Sequence, residues 1–497
     1  MVSAGPRIYT GLARRENAGW LLGLRPGQAV VCVLLTLPVV VTLSGGDVRG
    51  AVVAAAVAIP LIGLVVVPVR GRTVMRWLAH LLMFQVGLAL GWSRWQSRAA
   101  SGSTVDPAIP DLPGTLARVR FPDGPPMRDL GRICLIHDTG EARWGATAKL
   151  VHSGIAMLSD AQCQRLASRL GNLLATLAHR DVVDRMSLLI RTVPDTGADY
   201  DAWRAEHERA DAPEAARRAA RELDRTIGRV AVRHEVFVTF TGPEDALRRP
   251  ATAAGGGIDG RAVVLYRVLD GLTDRLRSLG AERVTWLSGA GLAQAIRTGF
   301  NPGSAGVLSA RDRRVPWATA GPTHAPAPTA RVYRHDGFAT VSYAVVMPEA
   351  GTTFGSLGGL LAIRTAGERR ALAVHYEALS ARRARSAVRA GRFRTGVVRD
   401  WKRSKGFSVA ATDRRAAAGA RSQEQAVAAG HGLVRFAMAA AVTVPGEWAV
   451  DDHAARMEND IAGRFELLRL DLAQDAGFVT AVLPVGIGLP RLRGGAL

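Results

Sequence analysis

Lysine, cysteine and closely spaced histidine are scarce in this 497-residue sequence, and each shortage excludes a class of functional site. None of the three lysines stands in a GxxxxGK[ST] motif, so the chain has no P-loop for ATP hydrolysis. The three cysteines form no CxxC pair, and no two histidines are close enough in sequence to share a helical turn. We therefore predict no disulfide framework, no metal site and no cofactor.

Acidic residues are also scarce, but only in two stretches of the chain. Residues 1–100 carry a net charge of +8 and residues 364–421 carry +12, which together account for nearly all of the +21 of the chain. The remainder is close to neutral. The high isoelectric point therefore describes two places on the chain, and each is a candidate for contact with an anionic partner.

Two uncharged apolar runs, Ala29–Leu43 and Ala51–Val69, lie close together near the start of the sequence. They predict a transmembrane helical hairpin over residues 29–69. Seven arginines lie before the first run or just after the second, and only Arg49 lies between the runs. The positive-inside rule then predicts that both termini are cytoplasmic, with residues 1–28 as a basic tail. A cleavable signal peptide is the alternative.

Residues 73–98 are apolar but are interrupted by polar side chains, and they end in alternating tryptophan and arginine. This composition favours an interfacial amphipathic helix, with a third membrane span as the alternative.

Proline-rich stretches divide the large soluble region that follows, which we expect to be cytoplasmic. They predict linkers at residues 99–130 and 301–330, α+β units at 131–300 and 331–485, and a tail at 486–497. Strand and helix patterns alternate in both units, and Val479–Val485 is predicted as a strand. Each unit opens with a hairpin that turns on His-Asp-(Thr)-Gly. The repeat suggests a duplicated, ferredoxin-like α+β fold, and a chance similarity of two hairpins is the alternative.

Two motifs imitate catalytic or nucleotide-binding signatures. Asp138 and Asp195 each begin Asp-Thr-Gly, the tripeptide of aspartic proteases, in which two carboxyl groups share a proton. A long leucine-periodic helix is predicted between them, and Asp and Gly are common in turns for mechanical reasons, so we interpret both as turns. Gly255, Gly257 and Gly260 fit GxGxxG, but the preceding strand ends too early for a dinucleotide site. The sequence therefore predicts a protein that is not an enzyme.

The strongest candidate site is an arginine-rich segment at residues 379–420, in which Phe393, Trp401 and Phe407 are interspersed. Three interpretations stay open: a solvated helix face, a contact with anionic lipid or a protein partner, and a nucleic-acid contact with stacked aromatic rings. The predicted lipid- or partner-binding residues are Arg382, Arg383, Arg385, Arg389, Arg392, Arg394, Arg399, Trp401, Lys402, Arg403 and Lys405.

The order of these features resembles a family of actinobacterial integral membrane proteins. The motifs that carry the resemblance are Gly19-Trp20, Gly23-Leu24, Val193-Pro194-Asp195-Thr196-Gly197, Ala320-Gly321-Pro322, Tyr333-Arg334-His335-Asp336-Gly337 and Gly432-Leu433-Val434-Arg435-Phe436. Members of that family accompany conjugation-like (type IV) transfer ATPases, and the architecture is also similar to EccE, the membrane subunit of type VII secretion. The resemblance implies two N-terminal helices before a cytoplasmic domain, a position at the periphery of a secretion complex, and no ATPase activity. It implies nothing about residues 379–420, which match no EccE motif.

Together, the residues and the resemblance predict a multi-pass, non-catalytic structural subunit of an actinobacterial secretion apparatus in the cell membrane. The expected partners are other membrane subunits of the apparatus, a separate motor ATPase and anionic lipid. The alternative is a membrane component of a conjugative type IV DNA-transfer system whose basic segment contacts nucleic acid or lipid. A membrane-tethered enzyme that uses Asp138 and Asp195 is the third hypothesis.

Overall fold

A computed structural model describes residues 26–66, 68–69, 72–127, 131–155, 157–179, 182–194, 211–226, 232–310, 314–348, 352–380 and 432–488, with a few isolated positions between these ranges. The described chain begins with three helices: α1 (Pro26–Ser44), α2 (Val48–Val66) and α3 (Val74–Ala89). Between α2 and α3, the short strands β1 (Pro68–Val69) and β2 (Arg72–Thr73) pair with each other. The strand β3 (Trp95–Gln96) follows α3.

The next elements form the first half of a large sheet and its covering helices. The strands are β4 (Val119–Arg120), β5 (Asp123–Met127), β6 (Gly131–Cys134), β7 (Ile136–Asp138), β8 (Arg143–His152), β9 (Arg185–Pro194), β10 (Val232–Pro243) and β11 (Ala281–Trp286). The helices are α4 (Asp160–His179), α5 (Glu214–Thr226), α6 (Glu244–Ala253), α7 (Gly257–Ser278), α8 (Gly289–Phe300) and α9 (Ser304–Ala310).

The remaining elements form the second half. The strands are β12 (His324–Ala325), β13 (Tyr333–His335), β14 (Phe338–Val346), β15 (Arg369–Leu379), β16 (Leu433–Pro445) and β17 (Glu466–Arg469). The helices are α10 (Val450–Ile461) and α11 (Gln474–Val482). Among the described residues, 3-10 turns lie at Gly114–Arg118, Trp317–Thr319 and Ser356–Leu360.

In the described part of the chain, eleven strands form one antiparallel sheet that runs through both halves. Its main path is β13-β14-β16-β15-β9-β10-β8-β7-β4, with β11 paired to β8 and β17 paired to β14. The halves join through β9 and β15, which pair from Arg185 opposite Glu377 to Thr192 opposite Arg370. The α+β class predicted from the sequence is confirmed, and the sheet is continuous across the predicted boundary at residues 301–330.

The two halves repeat one strand order. Neighbouring strands run β11-β8-β10-β9 in the first half and β17-β14-β16-β15 in the second. A hairpin strand, β7 or β13, pairs with the beginning of β8 or β14, as the His-Asp-(Thr)-Gly turns predicted. A helix follows the last strand of each half, α8 after β11 and α11 after β17. Because the corresponding strands β9 and β15 pair antiparallel, an approximate twofold rotation relates the halves.

Helices cover both faces of the sheet. On one face, α8 and α11 share a core with alanines of β15 and β16. On the other face, α4, α6 and α7 cover the first half, and α10 covers the second. Each large apolar side chain buried in these cores contributes on the order of 1.5–3 kcal/mol.

Small side chains in β16 set how closely α11 approaches the sheet. Ala439 and Ala441 lie in the core shared with α11, whereas Ala440 and Val442 lie in the core of the opposite face, which is the period of two that a strand imposes. A Cβ at Gly477 of α11 would lie only 2.9 Å from the Cβ of Ser342. A larger residue at position 477 would therefore push α11 away from β14.

Both segments predicted as linkers contribute residues to the core. Phe121 in the range 99–130 and Trp317 in the range 301–330 are buried, and their rings stack with centroids 4.4 Å apart. A proline stands directly before the 3-10 turn in each range. The prolines in these segments therefore fix ordered, non-repetitive backbone, because proline restricts φ without requiring a ladder hydrogen bond.

The predicted strand at Val479–Val485 is wrong, because its first residues continue the helix α11. The start of this helix is attached to β14 by Gln474, whose Oε1 accepts from the Ser342 amide at 2.7 Å and whose Nε2 donates to the Ser342 carbonyl at 3.3 Å. The valines of this segment suggested a strand, but packing against the sheet outweighs that propensity.

Candidate functional site

Helices α1 and α2 expose large apolar side chains over most of their surface. The exposed residues are Val30, Val31, Val33, Leu34, Leu37, Val40, Val41 and Leu43 in α1, and Val48, Val52, Val53, Val57, Ile59 and Leu61 in α2. Within the described part of the chain, Val48–Val66 is long and apolar enough to cross a membrane, with a mean hydropathy of 2.2, whereas Val30–Ser44 and Trp77–Ala89 are apolar but shorter. Of the two spans predicted over residues 29–69, the described residues support one, α2, as long and apolar enough to cross a membrane.

The start of α1 lies beside the end of α2. Nε2 of Gln28 donates to the carbonyl of Val65 at 2.7 Å. Between the helices, Oδ1 of Asp47 accepts from the Gly50 amide at 2.9 Å and so caps the N-terminus of α2. The two helices are therefore antiparallel neighbours.

Helix α3 has an exposed apolar stripe. Leu78, Leu82 and Val86 in the helix, and Leu90 directly after its last residue, are four residues apart and all exposed, so they follow one side of the helix. The helix has 16 residues. At 1.5 Å per residue it is about 24 Å long, shorter than the ~30 Å hydrocarbon core of a bilayer. This geometry suits a helix that lies in an interface.

A short strand pair joins these helices to the sheet. Strand β3 pairs with β12, and Nε1 of Trp95 donates to the carbonyl of Pro322 at 3.2 Å. Asp336, in the β13–β14 turn, holds the other side of β12: its Oδ1 accepts from the amides of Thr323 at 2.6 Å and His324 at 3.1 Å. Arg297 of α8 lies 2.8 Å from the other carboxylate oxygen of Asp336. The apolar helices are thus attached to one defined end of the sheet.

A charged cleft of about 290 Å³ lies at the opposite end of the first half. Its lining combines arginines, carboxylates and the chain after α11: Arg118, Ile136, Asp138, Glu141, Arg143, Arg185, Thr241, Thr480, Val485, Gly486, Ile487 and Gly488. The hydroxyl of Thr147 donates to the carbonyl of Pro484 at 2.8 Å and fixes this last segment over β8. Gly486 has a φ of +71° and passes so close to Thr239 that a Cβ would lie 2.9 Å from its Cγ2. Glycine is therefore required there.

The arginines of the cleft are paired with acids. Arg143 pairs with Asp184 and donates from Nε to Oγ1 of Thr241 at 3.3 Å. Nη2 of Arg185 lies 3.4 Å from Oε1 of Glu377, whose other oxygen accepts from Nε of Arg435 at 3.0 Å. Burial, followed by the nearby charge of Arg143, lowers the pKa of Arg185. A guanidinium group donates hydrogen bonds and accepts none, so these side chains position neighbouring groups.

Asp138 lines this cleft, but its carboxylate is hydrogen-bonded to backbone amides of the turn that it begins. Oδ1 accepts from the amides of Gly140 at 2.9 Å and Glu141 at 3.2 Å, and it lies 3.1 Å from Nε of Arg118. This agrees with the interpretation of the first Asp-Thr-Gly as a turn. Asp195, the second, lies outside the described residues. Oε2 of Glu141 is buried with no hydrogen-bond partner in the described structure, so it can accept a hydrogen bond from a further donor.

The GxGxxG motif connects two helices. Gly255 and Gly257 have φ values of +103° and +63° between α6 and α7, and a Cβ at Gly260 would overlap the carbonyl oxygen of Ala251. A dinucleotide fold instead places a strand before this motif. The glycines therefore serve a helix–helix turn.

All of the predicted lipid- or partner-binding residues, Arg382 to Lys405, lie outside the described residues, as does the basic tail up to residue 25. In the described part of the chain, no group of three or more His, Cys, Asp or Glu side chains stands close enough to hold a metal ion. Sequence reasoning missed the buried ion pairs of Arg185 and Glu377. A charged residue within an apolar strand was the signal that could have found them.

No family model matches the chain, and no curated protein matches it significantly.

Proposed function

We propose that the protein is a non-catalytic structural subunit of a membrane-associated secretion apparatus, anchored by α2 and exposing its large sheet to partner subunits. The observation that carries this proposal is the attachment of exposed apolar helices, through the β3–β12 pair, to one end of a packed 11-stranded sheet. An apolar surface of this extent is costly in water and favourable in lipid. An anchored body also raises the local concentration of its partners, so that several weak contacts can act together.

In this proposal α2 crosses the bilayer and α1 returns beside it as the second arm of a multi-pass hairpin. The hydrogen bond from Gln28 to Val65 supports this, because it satisfies a polar side chain and a terminal carbonyl against each other. The arginines that flank the hairpin favour cytoplasmic termini and a cytoplasmic sheet. Helix α3 then lies along the cytoplasmic surface.

The repeated strand order supports the interpretation of both halves as ferredoxin-like units. In each half, the fourth strand lies beside the first, the first beside the third, and the third beside the second. That is the order of a split βαβ pair. The EccE-like assignment rests on the resemblance of the sequence, and the partners it implies are membrane subunits of the apparatus, a separate motor ATPase and anionic lipid.

The test is purification of the full-length protein from its native membrane in mild detergent, with cross-linking and identification of the proteins that accompany it. We expect the protein to stay in the membrane fraction when the membranes are washed with alkali. In mild detergent, we expect a motor ATPase and other membrane subunits to copurify with it. A Val53→Arg/Val57→Arg variant should lose membrane retention, because two charges at the centre of α2 are expensive in lipid. The matched Val53→Leu/Val57→Leu control should retain it. A native protein that alkali extracts, or that purifies alone, contradicts the proposal.

A conjugative DNA-transfer component is the second candidate, favoured by the net charge of +12 in residues 364–421. Binding of the detergent-solubilised full chain to duplex DNA distinguishes it. If the basic segment neutralises several phosphates, the affinity should fall steeply and linearly in a log–log plot against salt. A subunit that docks only other proteins should not bind DNA with this salt dependence.

A further inference from the structure

The end of β8 and the loop between β8 and α4 expose three apolar side chains, one in the strand and two in the loop. Met157 is 97% exposed, Val151 is 46% exposed and Ile155 is 37% exposed. Single exposed apolar residues are common on soluble proteins and need no explanation. Ile155 and Met157 lie in the loop itself, two residues apart, and together with Val151 at the end of β8 they expose an apolar patch that water solvates poorly.

The base of this loop is held firmly, so the patch has a defined direction. Nδ1 of His152 accepts from the Gly154 amide at 2.8 Å, and its Nε2 donates to the carbonyl of Leu279 at 3.2 Å. On the other side, Ser159 and Gln162 form a capping box at the start of α4, with the Ser159 amide 2.8 Å from Oε1 of Gln162. The tip therefore projects from two anchored ends.

The patch lies at the end of the sheet to which the apolar helices are attached. Strand pairing establishes this across the sheet. Phe338 at the start of β14 lies opposite Pro445 at the end of β16, and Thr443 of β16 lies opposite Arg369 at the start of β15. Arg370 of β15 lies opposite Thr192 near the end of β9, Pro194 of β9 opposite Val232 at the start of β10, and Val236 of β10 opposite Leu150 near the end of β8. The start of β14, where Asp336 holds β12, and the end of β8, where the loop begins, are thus on the same side. They are five strand spacings apart, which is about 24 Å.

We propose that Ile155 and Met157 insert into the interface of the bilayer that α2 crosses, as a second contact between the sheet and the membrane. This inference rests on the proposed membrane anchor. Lipid is the occupant because the patch shares its end of the sheet with the attachment of the apolar helices. An unbranched methionine adapts to a disordered apolar phase without a fixed partner geometry. A second contact on the same side holds the sheet in one orientation at the membrane, whereas the β3–β12 pair alone leaves it free to tilt.

The test uses the full chain, with Cys32→Ala, reconstituted in phosphatidylcholine–phosphatidylglycerol vesicles that contain lipids with a nitroxide near the headgroup and lipids with a nitroxide near the end of the acyl chain. A fluorophore is attached through Met157→Cys in one sample. Val57→Cys in α2 serves as the positive control, and Asp245→Cys, after the other end of β10, as the negative control. We expect the Met157→Cys label to lose most of its fluorescence, as the Val57→Cys label does, while the Asp245→Cys label keeps it.

The outcomes separate this inference from the membrane anchor. If only the Val57→Cys label is quenched, the anchor holds and the loop contact is wrong. If neither label is quenched, the membrane anchor itself fails, and the loop contact fails with it. A Met157→Cys label that is blue-shifted but not quenched lies against protein, and this also overturns the lipid contact. Because Met157 is almost fully exposed, the substitution leaves the core intact.

Discussion

The two halves of the sheet share one strand order, yet different chemistry covers them. In the first half, the long helix α7 buries Leu265, Leu269 and Leu272 in an apolar core against the sheet. In the second half, the shorter helix α10 is additionally tied to β15 by buried ion pairs around Arg370. Backbone pairing fixes the strand order in both cases. The comparison therefore separates what the topology requires from what each covering helix requires.

The ion-pair cluster of the second half is fully enclosed. Nε of Arg370 lies 2.6 Å from Oε1 of Glu368, and its Nη1 lies 2.7 Å from Oδ2 of Asp460. Nδ1 of His453 donates to the other oxygen of Glu368 at 2.8 Å. The side chains of Arg370 and Glu368 are 0% exposed. Such charges are tolerated only while they remain paired, so the cluster specifies where α10 sits.

The largest expected effect comes from breaking this cluster. We expect Arg370→Leu to lower the free energy of unfolding by about 3–5 kcal/mol, because it leaves the buried carboxylate of Glu368 without a guanidinium and leaves Asp460 only the exposed Arg364 as a partner. The measurement is urea unfolding of the full chain in detergent, followed by tryptophan fluorescence, to which Trp448 contributes beside the cluster, with its ring stacked on His453. Glu368→Gln/Arg370→Met/Asp460→Asn, which removes all three charges, should recover much of the loss. A single variant that loses less than the triple variant would contradict this account.

The matching test in the first half is a cavity. Leu269 of α7 is 0% exposed. We expect Leu269→Ala to cost about 3 kcal/mol through lost burial and the space left behind. The exposed leucine of α5 is the control, since Leu223→Ala should change the midpoint of urea unfolding very little. Similar losses for Leu269→Ala and Leu223→Ala would mean that α7 is not the main cover of the first half.

Sequence patterns predicted the elements of each half better than their assembly. The hairpin turns near Asp138 and Asp336, and most strands, follow from local alternation and turn residues, which are short-range signals. The pairing of β9 with β15 joins strands whose partner residues are far apart in sequence, and no local pattern encodes that contact. The core residues within the predicted linkers were missed for a related reason, since the surface on which a proline-rich segment packs can order it.

The candidate site divides in the same way. The apolar helices were predictable, because length and hydropathy are properties of a single segment. The exposed Met157 was not, because one apolar loop residue acquires meaning only from its position at the attachment end of the sheet. No local pattern marked Glu368 and Arg370 as members of an ion-pair cluster, because the cluster depends on the way α10 folds back and brings Asp460 to Arg370.

A smaller effect, at the seam between the halves, depends on pH. His375 of β15 accepts from the hydroxyl of Ser187 in β9 at 2.8 Å, and His335 donates to the carbonyl of Phe300 at 2.6 Å. Burial is the main cause that lowers the pKa of both imidazoles to about 4; for His375 the hydrogen bond to the Thr480 carbonyl opposes the lowering and the charge of Arg185 adds to it. The unfolded chain, with a histidine pKa near 6.5, therefore binds more protons as the pH falls below that value. The contribution of the two neutral, buried histidines to the stability of the fold is complete above pH 6.5 and is lost as the pH falls toward 4.

At pH 5 each of these histidines should have lost about 2 kcal/mol of stability relative to pH 7. Unfolding of the wild-type chain and of a His375→Gln variant at both pH values tests this expectation. The glutamine keeps hydrogen-bonding capacity but does not titrate, so the variant should show about half of the pH-dependent loss that these two groups cause. An unchanged pH dependence would show that protonation of His375 does not destabilise the folded chain.

The smallest effect should come from an ion pair that water surrounds. Nη2 of Arg218 lies 3.2 Å from Oε1 of Glu214 on α5, and both side chains are more than 70% exposed. We expect Arg218→Ala to change the free energy of unfolding by no more than about 0.5 kcal/mol, because solvent screens the pair. Alanine also has the higher helix propensity, which offsets part of the loss. Measured beside Arg370→Leu, this variant isolates the contribution of burial: both remove an arginine that pairs with a carboxylate. If the two losses were equal, enclosure of the Arg370 cluster would not be what fixes α10 on the second half.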